Sequence, residues 1–114
     1  MSPTPDPGAR RPFNVAATHV GDRAVIFAHG ELDVATTPQL EAALLPHVAP
    51  ELVLDLAGVT FIDSSGMTLL FQTAQRSRRD GFAFRVVGVR PAVAELLQLT
   101  GLDRVLNLDD SSLL

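Results

Sequence analysis

Leu52-Val53-Leu54-Asp55-Leu56, followed by Val59-Thr60-Phe61-Ile62 and then Asp63-Ser64-Ser65-Gly66, is the stretch around which the rest of the chain can be read. The first five residues form an almost continuous apolar run, the pattern of a strand buried on both faces in a sheet served by crossover helices. We read it as a central strand. Beyond the polar tetrapeptide, Met67, Leu70, Phe71 and Ala74 mark one helical stripe, which ends in Arg76, Arg78 and Arg79 before Gly81. Polar caps open this helix and cations close it, as the helix dipole prefers.

The same alternation continues on both sides. Upstream, Phe13, Val15, Ala17 and Val20 give a loose strand-like stretch, and Gly21-Asp22 separates it from Ala24-Val25-Ile26-Phe27-Ala28. A Gly-Asp turn between two apolar runs predicts an antiparallel hairpin. Thr36-Thr37-Pro38 then opens a helix, with a threonine able to cap and the proline suited to the first turn. Its apolar residues Leu40, Ala43, Leu44 and Val48 recur at helical spacing, and Pro46 predicts an end or kink near Leu45. Downstream, Phe82 to Val89 reads as a strand. Pro91 opens a helix with Val93, Leu96, Leu97 and Thr100 on one face, Gly101 ends it, and Arg104 to Leu108 reads as a last short strand.

The predicted order is therefore β-β-α-β-α-β-α-β. It specifies an α/β domain with a mixed sheet of four to five strands, right-handed crossovers, and about three helices packed on it. Residues 1–12 hold four of the eight prolines and no apolar period, so a disordered arm is expected there. The domain is expected over 13–108, with a short acidic tail over 109–114.

Composition removes most alternative functions. The chain has 114 residues, 46% of them hydrophobic, which is one domain with a real core. Nine arginines against thirteen acidic residues leave a formal charge of −4, the wrong sign for a phosphate-backbone binder, so no direct nucleic-acid partner is expected. No cysteine is present, which excludes disulfides, thiolate metal sites and thiol nucleophiles. Nor is there a lysine for Schiff-base chemistry. No run of about 18 apolar residues is present to span a bilayer, and the start of the chain lacks the apolar core of a signal peptide. A soluble, cytoplasmic protein without membrane association is expected.

Candidate sites are few. His19, His29 and His47 fall in three separate elements without metal-ligand spacing, so no metal site is predicted. The glycines are scattered, which excludes the G-x-G-x-x-G and P-loop modes of nucleotide binding, and no cofactor is expected. A serine hydrolase would need Ser64 or Ser65 beside a histidine base, and the G-x-S-x-G elbow is missing. We therefore expect no enzyme. Arg76, Arg78 and Arg79 read as a solvated helix end rather than an anion site.

Asp63-Ser64-Ser65-Gly66 is different. In its structural reading, Asp63 or Ser64 caps the helix, accepting an orphan backbone N–H for about 1 kcal/mol. One such residue suffices for a cap, however. A second hydroxyl at a helix N-terminus beyond a buried strand is exposed among N–H dipoles, a favourable place for a phosphate. Phosphorylation there adds about −1.5 to −2 charges beside Asp63, making a surface that a partner can bind in only one state.

These residues carry a family resemblance. Gly30-Glu31-Leu32-Asp33, Leu52 to Leu56, Phe61-Ile62-Asp63-Ser64-Ser65-Gly66 and Pro91 to Leu102 occur in order, and with them the chain from Phe13 to Leu108 resembles a STAS domain of the bacterial anti-sigma factor antagonists. The resemblance implies a protein that binds an anti-sigma factor, itself a serine kinase, and so releases a sigma factor for transcription. It further implies phosphorylation by that kinase on Ser64, which switches binding off, and a serine phosphatase that resets it. Asp33 corresponds to the family's loop aspartate beside the phosphorylation site, and Asp63 to the residue preceding the phosphoserine. Ser65 takes a secondary, capping role, and Gly66 leaves room for close backbone approach. Asp33, Asp63, Ser64, Ser65 and Gly66 are thus the expected partner-binding residues, on a chain expected to be monomeric when free.

The chain departs from longer antagonists at its end, where no terminal helix is evident after Leu108. An alternative reading is a STAS subunit or scaffold of a transporter or stress-sensing complex, without a phospho-switch.

Overall fold

The computed structural model describes residues 12–46 and 49–109, the last three by their backbone. The expectations placed on residues 1–11, on His47 and Val48, and on residues 110–114 lie outside the described residues. Strand β1 (Asn14–Val20) and β2 (Arg23–Leu32) form an antiparallel hairpin closed by Gly21 and Asp22, with Gly21 at φ 60°. Helix α1 (Thr37–Leu44), β3 (Glu51–Ile62), α2 (Ser64–Asp80), β4 (Ala83–Val87), α3 (Pro91–Leu99), α4 (Leu102–Val105) and β5 (Asn107–Asp109) follow. The five strands lie side by side in chain order, and every pair after the hairpin is parallel. Each parallel connection steps one strand in the same direction, so crossovers of one hand bring the helices to one face.

That face holds the main core. Ile26, Leu52, Leu54, Leu56, Val59 and Ile62 from the sheet meet Leu40 and Leu44 of α1, Leu69, Leu70 and Ala74 of α2, and Val93 and Leu97 of α3. On the opposite face Val25, Val53 and Val87 form a smaller cluster with Phe27. Leu52 to Leu56 therefore forms most of the first half of the middle strand, with apolar residues on both faces as its sequence predicts.

Strand β3 is longer than its apolar run. The β2–β3 register shifts between Phe27 and His29 and again between Gly30 and Glu31, each time with an extra residue on β3. Asp55 Oδ1 accepts the Ala57 N–H at 2.8 Å beside the first shift. The inward positions consequently run Leu54, Leu56, Val59 and Ile62, a spacing of two and then three. Bulges that change the phase of a strand in this way hide it from an alternation test.

Two expectations are corrected. Arg104 to Leu108 is not one strand: Gly101, at φ 78°, ends α3, and α4 follows before β5 begins at Asn107. Leu102, Val105 and Leu106 pack on the core at helical spacing, which outweighs the local strand propensity. The arginine cluster is not simply a solvated end either. Arg76 donates from one guanidinium nitrogen to Leu44 O at 3.0 Å and from another to Leu45 O at 3.2 Å, capping the C-terminus of α1, and its guanidinium lies 5.3 Å from the Phe82 ring centre. Arg78 reaches Val105 O at 3.3 Å, and Arg79 pairs with Asp80 at 2.9 Å.

Candidate functional site

Parallel pairing of β2 and β3 brings two distant turns together. Leu32 is in register with Ile62, and the Asp63 N–H donates to Leu32 O at 3.0 Å. The turn after β2, residues 33–36, therefore sits beside the N-terminus of α2, at the carboxyl end of the parallel strands where open α/β sheets place their sites.

Asp63 is the N-cap of α2. One carboxylate oxygen accepts the Ser65 N–H at 2.9 Å, the Gly66 N–H at 3.2 Å and the Ser65 hydroxyl at 2.5 Å. The Val34 N–H of the neighbouring turn adds a weaker electrostatic stabilisation of the charge. The Ser65 hydroxyl, opposed by burial but joined by the Gly66, Ser65 and Val34 N–H groups, holds the Asp63 carboxyl below its ordinary value. The charged form is thus the resident one, at the helix N-terminus.

The alternative left open in the sequence is resolved in favour of Asp63 as the cap. Ser65 does not cap with its side chain; its hydroxyl braces the capping carboxylate. Ser64, the first residue of α2, is exposed, and its hydroxyl has no hydrogen-bond partner among the described residues. Its carbonyl accepts the Thr68 hydroxyl at 2.8 Å. Of the two adjacent serines, Ser64 alone presents an uncommitted nucleophilic oxygen to solvent.

Gly66 is buried, and a Cβ there would stand 2.8 Å from Ile62 Cγ1 and 2.8 Å from Leu32 Cγ. The absent side chain lets the first turn of α2 rest on the ends of β2 and β3. Asp33 is only 9% exposed. Its Oδ1 accepts the Ala35 N–H at 3.0 Å and the Thr36 N–H at 3.2 Å, so it shapes its own turn rather than reaching Ser64. Thr36, the N-cap of α1, makes no capping bond with its side chain. The hydroxyl instead accepts the Asp33 N–H at 3.0 Å and donates to Glu31 O at 2.7 Å.

Three of the exposed large apolar side chains lie on the elements that meet at this end of the sheet. Val34 is 74% exposed and Phe61 46%. Phe71, 38% exposed, falls two turns along the same side of α2 as Ser64. Reading the sequence for chemistry missed Val34 and Thr36. The available signal was the Asp33-x-x-Thr36 spacing, which suits a side-chain-bonded turn.

Comparison with known proteins agrees with this geometry. The family model described as the STAS domain matches residues 14–112. An anti-sigma-B factor antagonist of Staphylococcus epidermidis is 29% identical over 86 residues, covering 73% of this chain and 80% of its own. The crystal structure of an anti-sigma factor antagonist from Mycobacterium paratuberculosis is 30% identical and superposes with a TM-score of 0.73, covering 85% of each chain. The phosphorylated form of the Bacillus cell fate determinant SpoIIAA shares the fold, with a TM-score of 0.63 at 19% identity over 87% of this chain and 92% of its own. The chain belongs to the STAS-domain family, among the anti-sigma factor antagonists.

Proposed function

We propose that this chain is a phosphorylation-controlled antagonist: unphosphorylated, it binds an anti-sigma factor and frees a sigma factor, and phosphorylation of Ser64 by that factor's kinase activity ends the binding. The observation that carries the reading is the contrast between two neighbouring hydroxyls, Ser64 exposed and uncommitted, Ser65 engaged with Asp63. The chain supplies only the acceptor oxygen. Ser64 Oγ forms a bond to the γ-phosphorus of ATP as the bond to ADP breaks, with its proton passing to the kinase.

The Asp63 carboxylate already takes the N–H groups of Ser65 and Gly66. A phosphate on Ser64 therefore stays at the surface beside a carboxylate, and a partner that covers it must strip water from about two negative charges. Asp33, Asp63, Ser65 and Gly66 serve the switch by building the surface that presents Ser64, and a serine phosphatase resets it.

Incubation with the anti-sigma kinases of the host and ATP, followed by mass spectrometry, tests this. One phosphate on Ser64 is expected, with binding lost on phosphorylation and restored by a serine phosphatase. Ser64→Ala keeps binding and Ser64→Asp weakens it by about tenfold or more. Phosphate on Ser65 instead, no transfer from any of those kinases, or equal binding of the two variants overturns the reading.

A further inference from the structure

The turn between β2 and α1 is braced more heavily than its four residues need for chain reversal. Asp33 Oδ1 gathers the N–H groups of Ala35 and Thr36, Asp33 O accepts the Thr37 N–H at 2.8 Å, and the Thr36 hydroxyl ties Asp33 N–H to Glu31 O. All of this holds in place a turn whose outward side chain is valine. Val34 is 74% exposed, and a β-branched side chain has little χ1 freedom to lose on contact. Val20 and Leu99 are comparably exposed, at 62% and 76%. Val34 differs from both because its turn is joined to the N-terminus of the helix bearing Ser64, where the Asp63 N–H donates to Leu32 O at 3.0 Å. The turn is thus fixed relative to Ser64 through the paired ends of β2 and β3.

We propose that Val34 is a specificity-determining contact of the switch, read by the partner together with Ser64, and that Thr36 is the positioning residue that holds it there. The inference rests on the reading of Ser64 given above and names a second point of partner contact. A preorganised apolar contact adds affinity because little ordering remains to be done on binding. It also sharpens the switch. A partner that closes a dry pocket over Val34 brings its water-excluding rim toward Ser64, where an added phosphate must then be desolvated.

The test uses the full chain and the host anti-sigma kinase that modifies wild-type Ser64, with affinity and phosphorylation kinetics measured for Val34→Ala, Thr36→Val and Thr36→Ser. Val34→Ala is expected to raise Kd and KM about tenfold with kcat within about twofold, the signature of lost contact rather than lost chemistry. Thr36→Val keeps the shape and loses the hydroxyl, and should raise Kd and KM in the same direction. Thr36→Ser restores the hydroxyl and should return both to within about twofold of wild type. If wild type binds and Val34→Ala binds equally well, the inference is overturned while the Ser64 reading stands. Equal weakening by Thr36→Val and Thr36→Ser overturns the role of Thr36. Should Thr36→Val fail to fold by circular dichroism, Val34→Ala decides alone. Failure of wild type to bind any anti-sigma factor removes the Ser64 reading itself.

Discussion

Replacing Asp63 tests the architecture of the site independently of any partner. Asp63→Ala removes the acceptor of two first-turn N–H groups, a loss worth about 1 kcal/mol and up to about 2 for an N-cap. It also strands the Ser65 hydroxyl at a partly buried place, adding about 1 kcal/mol. The expected cost at pH 7 is therefore about 2–3 kcal/mol, or roughly 1 M in the urea midpoint at a typical slope. Asp63→Asn keeps a side-chain oxygen for the N–H groups and loses the charge, so it should cost only about 1 kcal/mol.

The pH dependence supplies a second check. The folded carboxyl lies below its ordinary value near 3.8, so in acid the unfolded chain binds the proton first. The charged cap's contribution is complete above the unfolded value and is lost as pH falls through the lower, folded one. The gap between wild type and Asp63→Ala should be constant from pH 7 to 5 and shrink by pH 3, with the other carboxyls cancelling in the difference. Equal stability of the two proteins at pH 7, or a gap unchanged between pH 5 and 3, refutes the assignment of Asp63 as a charged cap.

Three further substitutions probe the scaffold. Arg76→Ala should lower stability by about 1–2 kcal/mol in a thermal melt, because two terminal carbonyls of α1 and the Phe82 ring lose their cation; Arg76→Lys should restore only part, having no fork to span both carbonyls. Gly58→Ala should cost about 1–3 kcal/mol, since its Cβ would press on the His29 ring and stand 2.9 Å from Ala28 O. His29→Ala in the same chain should relieve only part of this, because the carbonyl contact remains. Thr37 Oγ1 is buried without a partner among the described residues, so Thr37→Val, of the same shape, should raise the urea midpoint by the equivalent of about 1 kcal/mol.

Much of the fold was legible because it depends on local pattern. The Gly21-Asp22 turn, the proline at the start of α1 and the stop at Leu45 each follow from the backbone preferences of one or two residues. The full length of β3 was not legible. Two bulges move its inward positions from every second to every third residue, and bulges arise from pairing with β2. Helix α4 escaped for a related reason: four residues carry too little periodicity to be distinguished from a strand, and the core that accepts Leu102 and Val105 is assembled from distant segments.

The same division runs through the site. Local pattern and composition are enough to give an α/β fold without cysteine or lysine, with a polar Asp-Ser-Ser-Gly corner between its central strand and a helix. Those properties follow from composition and from interactions a few residues long. Which serine is available, and what surrounds it, were decided by tertiary structure. Asp63 and Ser65 are two residues apart, yet Asp63, whose carboxylate occupies the Ser65 hydroxyl, is itself held through its N–H by Leu32 O, some thirty positions earlier in the chain. Only the parallel register of Leu32 with Ile62 brings that N–H within reach, and a register is a property of two strands, which neither strand's sequence contains alone.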